Sequence, residues 1–227
     1  MNNKILFKVE EMFHTSPQLL RDPNKLKQAI RGIFNVDIED VSFDNVAELV
    51  DRIDQKVLKK YFSEIWQPQT KSFKYSGLAI INEVNSLSPR NVLDIGCGYN
   101  EFKNKINNLT GIDPYNDNCD IKVSILDYVT DIKYDVVIAF GSINFGSTDK
   151  VFSELEKAVT LTEKGGKMFF RVNPGLPHKA PESDWISFYP WSTNFIVNCA
   201  DYFGLDILDL KSDNNGRLYF VWAKPHH

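Results

Sequence analysis

The sequence predicts an α/β fold: a mostly parallel sheet that closes in an antiparallel hairpin, preceded by a helical N-terminal extension. Three observations lead there. From residue 91 onward, short apolar runs alternate with amphipathic or polar stretches, the pattern of strand–helix units that build a parallel sheet. One run, Tyr134–Phe140 (YDVVIAF), is almost unbroken in its apolar character, as a strand covered on both faces must be. Near the end, Leu205–Leu210 and Arg217–Ala223 flank Asp213-Asn214-Asn215-Gly216, a strong hairpin-turn signal.

The extension, residues 1–70, reads as helical, with the α/β domain occupying 71–227. Asp22-Pro23 is a helix start, an N-cap acid followed by proline in the first turn. Leu26, Ile30 and Ile33/Phe34 then recur at helical spacing. Asp44 is expected to cap a second helix through Val46, Leu49, Ile53, Val57 and Tyr61. A third is expected from about Lys71 to Val84, with Leu78, Ile81 and Val84 on one face. Such an extension serves as a cap over the sheet or as a surface for a homodimer.

Seven strands are expected: Asn91–Ile95, Leu109–Asp113, Ile121–Ser124, Tyr134–Phe140, Lys167–Val172, Leu205–Leu210 and Arg217–Ala223. Val151, Leu155, Ala158 and Val159 mark an amphipathic helix that Gly165-Gly166 should end. Trp191–Phe203 reads as another, with Ser192 near its start.

Composition narrows the function classes. The formal net charge is −4, and the first 70 residues carry 10 Lys/Arg against 11 Asp/Glu, so there is no basic arm for nucleic acid. Cys97, Cys119 and Cys199 are too few and too scattered for a disulfide framework or a zinc site, so no metal is expected. The start, MNNKILFKVEEMF, lacks the apolar core of a signal peptide. No apolar stretch is long enough to span a membrane. The expected location is the cytoplasm, with no membrane partner.

The chemistry centres on VLDIGCGYNEF, residues 92–102. A strand runs into Gly96-Cys97-Gly98 and a helix is expected to begin near Asn100. Glycine allows a sharp turn off the strand and a close approach of backbone to ligand. In open α/β sheets the ligand crevice lies at the carboxyl ends of the strands. A dinucleotide loop would place glycine three residues after Gly98, where this chain has Glu101, an acid that opposes a pyrophosphate. An adenosyl cofactor without phosphate and with a cationic centre fits better beside Asp94 and Glu101. Asp113, ending the second strand, can accept from both ribose hydroxyls. Asp127, after the third, can accept from the adenine amine, with Leu126 or Tyr128 packed on the base. Each acid has a plainer reading as a capping or turn residue.

Taken in order, VLDIGCG, GID, SILD, YDVVIAFGSINF and KGGKMFFRVNPG resemble the class I methyltransferases that use S-adenosylmethionine (SAM), over about residues 75–224. The resemblance implies a Rossmann-like methyltransferase fold and SAM as cofactor, with S-adenosylhomocysteine (SAH) as product. It assigns Asp94, Gly96 and Gly98 to the methionine end, Asp113 to the ribose and Asp127 to the adenine, with Cys97 and Phe140 among the cofactor contacts. Phe140–Asn144 would border the methyl-transfer site. Asn100 replaces the third small residue of the glycine loop, a change that asparagine's tolerance of left-handed backbone accommodates. Only residues 114–120 separate the second and third strands, so the usual helix there is absent or a single turn. No DPPY-type tetrapeptide and no Pro-Cys dipeptide is present, which argues against base methylation of DNA.

The acceptor is expected along residues 171–191 (RVNPGLPHKAPESDWISFYPW), a long irregular segment rich in proline and aromatics. His178 and Asp184 are the candidate bases. Asn144, Arg171, Trp185 and Tyr189 are candidate acceptor contacts. The expected acceptor is a small molecule or sugar-type substrate. RNA or protein methylation, and a non-catalytic SAM-binding scaffold, are the alternatives.

Overall fold

The computed structural model describes residues 1–39, 45–66 and 75–226. They divide into two units, Met1–Trp66 with Pro177–Ser187, and Gln67–Leu176 with Phe188–His227. Eleven residues of the expected acceptor segment, Pro177–Ser187, belong with the N-terminal helices.

Local capping explains the helices of the first unit. Asn2 caps α1 (Asn3–Thr15), its side chain accepting from the Lys4 and Ile5 N–H groups. Ile5, Val9 and Met12 form its buried stripe. α1 is not among the helices expected from the sequence. Asp22 caps α2 (Pro23–Phe34) by accepting from the Lys25 N–H, as expected, and Leu26, Ile30 and Phe34 are buried. The second expected helix is α3 (Val46–Lys60), which buries Leu49, Val50, Ile53 and Val57. Its cap is Asn45; Asp44 lies outside the described residues. Pro177–Ser187 packs on these helices. Trp185 meets Phe34 edge-on at 4.7 Å between ring centroids. Asn2 Nδ2 bridges Asp54 Oδ1 and the Trp185 carbonyl, both at 2.7 Å.

The second unit is built on a six-stranded sheet of order β2-β1-β3-β4-β6-β5. The strands are β1 (Val92–Ile95), β2 (Leu109–Ile112), β3 (Tyr134–Phe140), β4 (Thr162–Val172), β5 (Asp206–Ser212) and β6 (Leu218–Ala223). β2, β1, β3 and β4 run parallel; β6 pairs antiparallel with β4 and with β5. Period-two alternation gives each face its own core. Leu93, Val137, Phe170 and Trp222 point into one, with Val151 and Leu155 of α5 (Thr148–Leu161) and Ile196 of α6 (Thr193–Phe203). Val92, Ile138, Phe169 and Tyr219 point into the other, with Ile80, and Val84 of α4 (Ile81–Ser86). Ser147 and Ser192 cap α5 and α6, and Gly204 ends α6 at φ +63°.

Four expectations need correction. Ile121–Ser124 is not a strand: one parallel bridge, Ile112 to Ile121, forms and does not propagate, so among the described residues the sheet has six strands. The chain turns at Ser124–Asp127 before a second bridge can form. No helix follows the glycine loop. Asn100, Asn104 and Asn108 all adopt positive φ, and residues 99–108 run as successive turns that still bury Phe102 and Ile106. The helix expected from Lys71 is a 3-10 turn at Gly77–Ile80 leading into α4; residues 71–74 lie outside the described residues. Finally, α5 stops at Leu161, and Gly165, at φ +78°, belongs to the irregular start of β4.

Candidate functional site

The crevice at the carboxyl ends of β1, β2 and β3 is built by backbone and acids together. Gly96 has φ +66°, and a Cβ placed there would lie 2.2 Å from Ser142 Cβ in the loop after β3. Only glycine lets the β1 and β3 loops meet so closely. Gly98 follows at φ +52° and Asn100 at +55°, the left-handed geometry that the sequence allowed for asparagine. Gly111 of β2 has no room for a Cβ either, because Asn100 Oδ1 and Cys97 Sγ sit 2.8 and 2.9 Å from its position.

Asp113 ties this loop to its neighbour. Its Oδ2 accepts from the Gly98 N–H at 3.0 Å; its Oδ1 accepts from the N–H groups of Tyr115 and Asn116, both at 2.8 Å. The turn-forming reading of Asp113 is thus realised, and about one of the four lone-pair positions of the carboxylate stays open. Asp94, on β1, is buried. Burial, and then the charges of Asp113 and Asp120, push it up to about 8, so it carries a proton at neutral pH. Asp120 accepts from the Gly111 N–H at 2.8 Å and pairs with Lys103 at 2.6 Å. Those contacts outweigh its desolvation and hold it below the usual range.

Two buried oxygens of this crevice have no hydrogen-bond partner, Ser142 Oγ and Asn100 Oδ1. An unsatisfied buried oxygen costs about 1–3 kcal/mol. Neither was a site candidate from sequence; a serine in a loop and an asparagine in a turn carry no local signal. Cys97 packs toward Gly111, and burial followed by the surrounding acids raises its thiol far above the ordinary value, so it is a filler and no nucleophile.

Around the rim, Asp127 is exposed and bonds Ser124 within its own turn. Leu126 is exposed, whereas Tyr128 is buried and its hydroxyl meets that of Tyr134 at 2.7 Å, which removes it as a base-stacking residue. The Phe140 ring sits edge-on to Phe102 and Tyr219. Asn144 joins two loops: its Oδ1 accepts from Asn173 N–H at 2.9 Å and its carbonyl from Tyr189 N–H at 2.7 Å. The Tyr189 ring meets Trp191 edge-on and Phe195 at a tilt. Arg171 donates to Asp213 at 2.6 Å in a largely buried pair.

His178, Asp184 and Trp185 belong to the helical unit. His178 Nδ1 lies 2.9 Å from the Tyr61 hydroxyl. Asp184 is exposed and its carbonyl accepts from Lys4 Nζ. Among the described residues, no group of three or more His, Cys, Asp or Glu could hold a metal ion. No described helix is long and apolar enough to cross a membrane.

Solved structures share this architecture. The 1,6-didemethyltoxoflavin-N1-methyltransferase of Burkholderia thailandensis, solved with 1,6-didemethyltoxoflavin and S-adenosylhomocysteine, is 11% identical with a TM-score of 0.59, over 84% of this chain and 95% of that one. The CcbJ methyltransferase of Streptomyces caelestis is 13% identical with a TM-score of 0.55, over 74% and 96%. The N-methyltransferase NodS of Bradyrhizobium japonicum WM9, in complex with SAH, is 13% identical with a TM-score of 0.52, over 76% and 98%. The fold is that of the class I SAM-dependent methyltransferases. No protein-family model and no curated protein matches the sequence. Identities this low carry the methyltransferase fold and nothing finer.

Proposed function

We propose that the chain is a SAM-dependent methyltransferase whose acceptor is a small molecule. The observation that carries the reading is the crevice itself: Gly96 pressed on Ser142, two partnerless buried oxygens, and acids ending β1 and β2. These residues fit the cofactor. Ser142 Oγ and Asn100 Oδ1 are polar groups in want of partners, and Asp113, with Asp94 ready to give up its proton to a cationic ligand, suits a positively charged cofactor. Asp94, Gly96, Cys97 and Gly98 would hold the methionine end and Asp113 the ribose. Asp127 would meet the adenine amine, with Leu126 beside the base.

Bound SAM supplies a methyl group already activated on a sulfonium. The chain's task is to position the acceptor and exclude water, which can supply roughly 7–11 kcal/mol in favourable cases. Gly96 and Ser142 bring the β1 and β3 loops together, and Asn144 fixes the β3 loop to Asn173 and Tyr189. An acceptor that loses a proton also needs a base, for which His178 and Asp184 are the sequence's candidates. The didemethyltoxoflavin methyltransferase, solved with that small molecule bound, supports the acceptor class.

Calorimetric titration with SAM and SAH tests the reading, beside Asp113→Asn, which keeps the side-chain shape. The wild type should bind both. The variant should bind about tenfold to a hundredfold more weakly, the worth of hydrogen bonds to a charged acceptor. Absence of binding by the wild type at millimolar ligand would sink the proposal.

A further inference from the structure

Register places one row of side chains across four strands, on the face that carries Tyr219. Phe140 of β3 is opposite Arg171 of β4, Arg171 is opposite Tyr219 of β6, and Tyr219 is opposite Lys211 of β5. Residues directly opposite share a face. The row lies at the carboxyl end of the parallel strands, and alternation puts Arg217, two residues before Tyr219, on the same side. Lys211 lies over the rings of Tyr75 and Tyr219 at 4.2 and 5.4 Å, and it pairs with Asp209.

Asp213 is a carboxylate beside both arginines, and about three of its four acceptor positions are taken. Asp213 Oδ2 takes Arg171 Nε, while Oδ1 takes the backbone N–H groups of Asn215 and Arg217 at 2.8 and 3.0 Å. The Arg217 guanidinium has no hydrogen bond or ion pair among the described residues. It is only partly exposed; burial and then the Arg171 charge hold it below its ordinary value. A guanidinium kept half-buried beside a second one, without an anion of its own, is a planar fork of donors set to receive an oxyanion. The adjoining surface includes the exposed, apolar Leu176, whose Cδ1 approaches the hairpin turn at Gly216.

We propose that Arg217, beside the buried Arg171–Asp213 pair, binds an oxyanion on the acceptor, a carboxylate or a phosphate. This rests on the methyltransferase reading for the word acceptor; the anion site itself does not. β6 stands three strands from β1, about 14 Å at ordinary strand spacing, so the site is separate from the glycine loop.

The test follows the arginine Nε–H resonances of the full chain by NMR, titrating with benzoate, inorganic phosphate or chloride at constant ionic strength. The Arg217 signal should move saturably with benzoate or phosphate and not with chloride. The stronger of the two oxyanions identifies the group. In Arg217→Gln the response of Arg171 should weaken about tenfold or more in affinity, while SAH affinity stays unchanged. A linear response, an equal response to chloride, or an unaltered Arg171 response in the variant overturns the anion site. If SAH fails to bind either protein while Arg217 responds, the methyltransferase reading falls and the anion site stands.

Discussion

At the residue scale, two side chains decide whether the crevice works. Gly96→Ala puts a Cβ into Ser142 and also asks alanine to hold φ +66°. The expected cost is on the order of 2–4 kcal/mol in stability, with loss of SAH binding. Adding Ser142→Gly removes the clash and leaves the backbone strain, so chemical denaturation should show partial recovery; no recovery would mean that Ser142 is not what excludes the side chain. Asp94 gives a second test. In the free protein it keeps its proton up to about pH 8. A cationic ligand favours the carboxylate, so binding releases a proton and affinity rises with pH below about 8. The limit is about tenfold per pH unit. SAM should follow this slope more steeply than SAH, whose sulfur is neutral; equal, flat profiles in calorimetry would contradict it. These acids were legible in the sequence because they end strands beside glycines. Ser142 and Asn100 were not, because their significance lies in partners they lack, and that is a property of three-dimensional packing.

At the element scale, legibility follows how local the cause is. α2, α6 and the β5–β6 hairpin were readable from Asp22-Pro23, Ser192 and the DNNG turn, since capping and turn chemistry act within four residues. α1 escaped because exposed Phe7 blurs the stripe of Ile5, Val9 and Met12. The missing third strand and missing helix failed for the opposite reason: Ile121–Ser124 alternates properly, yet the turn after it wins, and the asparagines at 100, 104 and 108 stop a helix that the surrounding pattern suggests. Within α5, Glu154 is a further prediction. It is buried, Oε2 has no partner, and Lys150 lies 3.9 Å from its other oxygen. Desolvation, opposed by Lys150, raises it to about 7. The folded state therefore binds the proton more tightly than the unfolded chain does. Stability falls as pH rises from about 4.5 to 7, by an amount on the order of 3 kcal/mol. Glu154→Gln should flatten that dependence and raise the melting temperature at pH 8 relative to wild type. A parallel loss in both proteins across the same range would show that Glu154 is not the group responsible.

At the scale of the whole molecule, the division into two units sets the last prediction. The helical unit has its own buried set, including Ile5, Val9, Leu26, Ile30 and Ile53, while the sheet unit has cores on both faces of β1–β6. A unit of roughly 80 residues buries a smaller fraction of its surface than one nearly twice that size, and is the less stable on that ground. Calorimetric melting should then show two transitions, the helical unit first. Every residue proposed to hold the cofactor belongs to the sheet unit. SAH at about 100 times its dissociation constant adds roughly 2.7 kcal/mol to the state that binds it. For a unit of this size that moves its midpoint by roughly 5–10 °C. The upper transition should shift and the lower one stay. A single transition moving as a whole would mean that the chain unfolds as one cooperative body, and that the Pro177–Ser187 segment, fastened to Phe34, Tyr61 and Asn2, couples the helices to the sheet through its two connections.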